Sequence, residues 1–177
     1  MKAQINKECT VAHYLNKNIL NEFFPHSASY TCKDDLLTKH FEHTTLFEWE
    51  AYIYSNIVSI VPIICDLKKN EWTYDLTGLR TIRDVLRHRE FDYTSLFNFV
   101  DSFQNYSFIH GNLKIDNLFM NDDNEFFVID FTHSIIKEKN IINQYTDFYS
   151  IYNSIRSISG STQLNALFNQ YVPQTGY

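Results

Sequence analysis

One stretch limits the possible folds more than any other. It is Phe108-Ile-His-Gly-Asn-Leu-Lys-Ile-Asp-Asn-Leu-Phe119, followed by Phe126-Phe-Val-Ile-Asp-Phe-Thr-His133. Polar side chains at His110, Asn112, Lys114 and Asn117 alternate with apolar neighbours, and Asp130 closes a short apolar run. The pattern reads as a loop and short strand over 110–120, a turn at Asn121-Asp-Asp-Asn124, and a strand over 126–129. A chain carrying this stretch must hold several polar side chains within an apolar frame.

The residues before it are rich in strand signals. A short helix or irregular arm is expected over 1–22, with Val11, Tyr14, Leu15 and Ile19 at helical spacing. Phe23-Phe24, Tyr30-Thr31-Cys32 and 36–41 read as strands separated by polar turns at 26–29 and 33–35. Thr44-Thr45 opens a helix to about Asn56, with Leu46, Trp49, Ile53 and Ile57 on one face. Two further strands follow over 61–67 and 71–76, joined by Lys68-Lys69-Asn70. After Gly78 the periodicity becomes helical: a short helix over 81–88, an amphipathic one over 93–106 carrying Leu96, Phe99, Val100 and Phe103, and others over 147–157 and 164–171.

The chain has 177 residues, enough for one domain or two small lobes. With 44% hydrophobic and 20% charged residues, a packed core is expected. A net charge of −6 argues against a duplex-binding surface, and the Arg80, Arg83, Arg87 and Arg89 cluster reads as a solvated helix face. Cys9, Cys32 and Cys65 are odd in number and not closely paired. They imply neither a disulfide framework nor a zinc site, and reduced thiols are expected, Cys65 as an inert core thiol. The first residues do not resemble a secretory signal, and the apolar run 57–65 is too short to span a bilayer. The expectation is a soluble cytoplasmic or other intracellular protein with no nucleic-acid or membrane partner.

The pattern H-G-x-L-K-x-x-N at 110–117, with I-D-F at 129–131, resembles the protein-kinase-like superfamily. The resemblance spans roughly residues 23–171. It implies an α+β, bilobal protein-kinase-like fold. A small antiparallel β-sheet N-lobe with one helix would cover 1–76, and a truncated helical C-lobe with the catalytic-like loop 77–177. Asn117 and Asp130 then stand as Mg²⁺ ligands, since amide and carboxylate oxygens suit a hard cation that bridges nucleotide phosphates. Lys114 resembles the catalytic-loop lysine that meets the transferring phosphate. Lys39 resembles the strand lysine that contacts the ATP α- and β-phosphates, and it needs a carboxylate from the following helix. Glu48 and Glu50 are candidates that cannot share a helix face; Glu50 is favoured by its distance before Val61-Pro62. Asp75 resembles the acidic hinge residue, and Ser27, Ala28 and Ser29 occupy the phosphate-cradling loop. Asp147 resembles the buried aspartate that ties down the catalytic-loop backbone, with a plain helix N-cap as the alternative. His133 reads as a hydrogen-bonded structural residue.

Residues 131–146 contain no Ala-Pro-Glu motif. This short C-lobe is similar to the small atypical RIO and KEOPS-complex kinases. Three departures bear on activity. Asn112 stands where an aspartate should receive the substrate hydroxyl's proton, and general-base catalysis is commonly worth ~10²–10⁴-fold. With only 4 glycines in the chain, Pro25-His-Ser-Ala-Ser-Tyr30 lacks those that allow close backbone approach to phosphates. Thr132 replaces the glycine after Asp-Phe and stiffens that turn. The resemblance thus implies a pseudokinase: impaired in phosphoryl transfer, weakly binding Mg²⁺–ATP, and acting through a protein partner such as a true kinase. Two other readings stay open: an active atypical Ser/Thr kinase or ATPase, and a small-molecule phosphotransferase.

Overall fold

A computed structural model describes residues 28–88, 90–106, 108–136, 145–159 and 162–172. The expected arm over 1–22, the Phe23-Phe24 strand, Ser27 and Arg89 lie outside them. The described residues form two compact units, one from 28–82 with 116–132, the other from 83–115 with 133–172.

The first unit begins with the hairpin β1 (Ala28–Lys33) and β2 (Leu36–Phe41), then helix α1 (Thr44–Ser55), β3 (Ile63–Lys68) and β4 (Glu71–Asp75). The strands pair antiparallel in the order β1-β2-β4-β3. Tight turns place Asp34 and Asn70 at φ of 55° and 59°, a left-handed backbone that Asp and Asn tolerate. Ala28 and Ser29 were expected in a turn. They belong to β1 instead, opposite Phe41 and His40.

Strand alternation decides what β2 buries. Leu37, Lys39 and Phe41 point into the core while Thr38 and His40 stay half-buried. That face meets Ile53 and Tyr54 of α1 and Trp72 and Tyr74 of β4, all buried. Trp72 anchors the cluster, with ring centroids 4.7 Å from Phe41 and 5.1 Å from Tyr54. β3 lies at the sheet's edge, and its register shifts between Ile64 and Asp66. A bulged edge strand turns side chains outward. Cys65 is therefore an exposed free thiol rather than a core residue. The unit is completed by β5 (Arg80–Thr81), β7 (Leu118–Met120) and β8 (Phe126–Val128), paired in the order β5-β7-β8. Arg80 pairs with Asp122 at 2.6 Å across that sheet's end.

In the second unit, β6 (Phe108–Ile109) pairs with β9 (Ile135–Ile136). Around them lie α2 (Ile82–His88, its first residue in the other unit), α3 (Tyr93–Ser102), α4 (Thr146–Arg156) and α5 (Thr162–Tyr171). Leu96, Phe97 and Val100 of α3 are buried, as are Phe148, Ile151 and Ile155 of α4 and Leu164 and Phe168 of α5. The helix expected over 93–106 ends at Ser102 and tightens into a 3₁₀ turn over Phe103–Asn105. Among the described residues, no helix is long and apolar enough to cross a membrane.

Asp92 caps α3 by accepting from the backbone N–H groups of Thr94 and Ser95. The Ser95 hydroxyl and these N–H groups hold its carboxyl below the ordinary aspartate value. A depressed carboxylate stabilises above its unfolded pKa, and that contribution is lost as pH falls through the folded pKa. Asp92→Ala should cost about 1 kcal/mol in urea denaturation at neutral pH. The difference from wild type should shrink as the pH is lowered through the aspartate range.

Candidate functional site

Lys39 is the centre of the first unit's polar network. Its alternation with Leu37 and Phe41 forces it onto the core face, where its side chain is fully buried. It is walled by rings, with Nζ 4.8 Å from the Phe41 centroid and 5.5 Å from that of Tyr30. Nζ donates to Glu50 Oε2 at 2.6 Å, to Asp130 Oδ1 at 2.7 Å and to Thr132 Oγ1 at 2.7 Å. Both carboxylates are also 0% exposed. Burial pulls the ammonium's pKa down, but Asp130 and Glu50 outweigh it and hold Lys39 above the ordinary lysine value. Burial pushes the Glu50 carboxyl up, against the pull of Lys39 and with a further push from Asp130.

Glu50 rather than Glu48 meets the lysine. Glu50 shares a helix face with Ile53 and Tyr54 at i+3 and i+4, both buried. Glu48 is exposed. Three further donors steady the buried Glu50: the Phe131 backbone N–H at 3.2 Å, the Thr132 hydroxyl at 3.0 Å, and the Tyr74 hydroxyl at 3.5 Å. Tyr74 is linked in turn to Tyr54 at 2.7 Å.

The β7–β8 hairpin sets Asn117 and Asp130 at its open end. Asn117 precedes β7, Asp130 follows β8, and Ile129 N–H donates to the Asn117 carbonyl at 3.0 Å. Asp130 adopts φ 69°, a conformation that costs energy in a non-glycine residue and is often found at functional sites. The amide and carboxylate are donors of the hard-oxygen type that Mg²⁺ takes. Among the described residues, no cluster of three His, Cys, Asp or Glu forms a self-sufficient metal cage.

In the second unit the loop carrying Asn112 is fastened by its backbone. Buried Asp147, in the first turn of α4, accepts from His110 N–H and Gly111 N–H at 2.9 Å each. It holds the loop, which decides between the two expectations for this residue. Asn112 N–H donates to His110 Nδ1 at 3.2 Å, Ile115 N–H to the Ser154 hydroxyl at 3.3 Å, and the Ser134 hydroxyl to the His110 carbonyl at 3.1 Å. Gly111 adopts φ 79°, and a Cβ there would lie 2.4 Å from the His133 carbonyl oxygen. Only glycine fits. Asn112 itself is buried, and Lys114 is half-buried.

Asp75, Ala28 and Ser29 lie on strands β4 and β1, which flank the Lys39 strand. Asp75 ends β4 and accepts from Thr77 N–H at 2.9 Å. The Thr77 hydroxyl and backbone hold its carboxyl below the ordinary range, so it shapes the turn after β4. Ala28 and Ser29 are half-buried and exposed, respectively, at the start of β1. Sequence reasoning missed Thr132, Tyr30, Tyr74, Ser134 and Ser154 as members of these networks. For Tyr30 and Tyr74 the signal was present, since both share a strand face with Lys39 and Leu37, respectively.

No protein-family model and no curated protein matches the chain. Solved structures do. A crystal structure of monomeric WbdD matches with a TM-score of 0.53 and 15% identity, over 80% of this chain and 40% of that one. A co-crystal structure of WbdD with a kinase inhibitor matches at 0.54 and 14%, over 82% and 43%. A structure of the bifunctional kinase-methyltransferase WbdD matches at 0.51 and 14%, over 82% and 42%. This chain thus spans less than half the length of the structures it matches. At such identity the likeness is one of fold, and it does not reach the RIO or KEOPS branch. The chain has an α+β, protein-kinase-like fold.

Two substitutions test the networks. Asp147→Ala strands two backbone donors and should cost about 3 kcal/mol in urea denaturation, with Asp147→Asn costing about half that. Lys39→Met leaves two buried carboxylates without their cation, a loss of about 3–5 kcal/mol at neutral pH. Those carboxylates would have raised folded pKa values, and stability of that kind is present at low pH and lost as pH rises. The Lys39→Met penalty should therefore shrink between pH 7 and pH 5; an equal penalty at both would contradict the assignment.

Proposed function

We propose that this chain is a pseudokinase: it retains weak Mg²⁺–ATP binding, is impaired in phosphoryl transfer, and acts by binding a protein partner. The observation that carries the reading is an intact Lys39–Glu50–Asp130 ion-pair network in a chain whose residue 112 is an amide. The network supports nucleotide binding, with Lys39 facing phosphate and Asn117 and Asp130 holding Mg²⁺. The cation would neutralise phosphate charge. The amide supports impairment, because Asn112 cannot take a hydroxyl proton near neutral pH. The engagement of Lys39 with protein acceptors supports weak affinity, since a phosphate must compete with them.

A protein partner is supported by the outer side of α1 and β3. Ile63, Leu67 and Tyr52 are 72%, 64% and 55% exposed. The first two line an apolar cavity of about 540 Å³ together with Tyr54, Val61, Pro62 and Trp72. Exposed apolar patches of this kind mark interaction surfaces. A true kinase is one such partner.

The test is phosphate transfer from labelled ATP, together with thermal stability in millimolar Mg²⁺–ATP. The wild type should gain on the order of 2 °C and transfer phosphate to protein or small-molecule acceptors only at a trace rate. Asn112→Asp, which restores a base, should raise transfer by roughly 10²–10⁴-fold. Wild-type transfer at ~1–100 s⁻¹, the range of working kinases, and its loss in Lys39→Ala would overturn the proposal. That outcome would favour an active atypical Ser/Thr kinase or ATPase, or a small-molecule phosphotransferase, according to the acceptor labelled.

A further inference from the structure

We infer that the Thr132 hydroxyl occupies the Lys39 donor that a nucleotide phosphate would take, and so sets the affinity of the site. This deepens the nucleotide-binding reading above and rests on it. An ammonium has three N–H donors. Here they go to Glu50 Oε2, Asp130 Oδ1 and Thr132 Oγ1, at 2.6, 2.7 and 2.7 Å. Lys39 therefore has a full set of acceptors within its own unit.

The three acceptors are not equal. Two are carboxylates, and charge-assisted bonds between ions are roughly twice as strong as neutral ones. The third is a neutral hydroxyl, whose own proton is shared between Glu50 Oε2 and Asp130 Oδ1, each 3.0 Å away. An incoming phosphate oxygen displaces the hydroxyl most readily. Accessibility agrees: Lys39, Glu50 and Asp130 are 0% exposed, whereas Thr132 is half-buried. Thr132 is the one of these four residues that keeps some exposure. The effect belongs to the hydroxyl and not to backbone stiffness, because the positive φ of this turn lies at Asp130.

Titration calorimetry of the full chain with Mg²⁺–ATP tests this with Thr132→Ala, Thr132→Gly and Thr132→Ser. The alanine and glycine variants should bind at least about tenfold more tightly than wild type, the lower end for one hydrogen bond to a charged group. Serine, which keeps the hydroxyl, should match wild type. Alanine binding no tighter than wild type, or tightening by glycine alone, overturns the inference and leaves the nucleotide-binding reading standing. Failure of wild type and all variants to bind overturns both. A second measurement needs no variant. The ¹⁵Nζ resonance of Lys39 should shift as Mg²⁺–ATP is added to wild type, when phosphate replaces the hydroxyl. An unmoved resonance at saturating nucleotide contradicts it.

Discussion

A single buried ammonium shared by two buried carboxylates organises the first unit. Lys39 comes from a central strand, Glu50 from the helix above it, and Asp130 from the end of a hairpin far along the chain. Buried ions are costly unless paired and fully hydrogen-bonded. One ammonium does not balance two carboxylates, and the remainder is met by donors: the Phe131 N–H and the Thr132 and Tyr74 hydroxyls, all directed at Glu50. The rings of Tyr30 and Phe41 shield the ammonium from water and so strengthen every one of these contacts. Segments far apart in sequence are held by a handful of short polar bonds.

The loop that carries Asn112 has the opposite character. Its backbone is fastened by hydrogen bonds that involve the Asp147 carboxylate, the His110 ring and the Ser134 and Ser154 hydroxyls, with no ion pair among them. Its framework remains complete although residue 112 is an amide. Glycine is required at position 111, where φ is 79° and the His133 carbonyl leaves no room for a Cβ.

Much of this was legible from side-chain phase. Lys39 is in register with Leu37 and Phe41, and Glu50 with Ile53 and Tyr54, so alternation and helical period both aim a charge into the core. The kinase-like fold followed from the HGxLKxxN and IDF patterns, which the likeness to WbdD supports at the level of fold. The rest depended on contacts that periodicity does not encode. Thr132 was read as a stiffened turn, because a hydroxyl's partner across the unit has no signature in local sequence. Cys65 was placed in the core because its strand is apolar, while edge position and a bulge turn it outward. The strand β1 extends back to Ala28 because its backbone pairs with Phe41, against the turn propensity of the serines beside it.

The central proposal is that Lys39 binds a nucleotide phosphate at reduced affinity in a chain whose residue 112 is an amide. A crystal structure of the chain soaked with Mg²⁺ and ATP tests it most directly. The account predicts an intact triphosphate, a phosphate oxygen on Lys39 Nζ in the place of Thr132 Oγ1, and Mg²⁺ held by Asn117 and Asp130. A cleaved triphosphate, or phosphates bound away from Lys39 with its contact to Thr132 undisturbed, would contradict it.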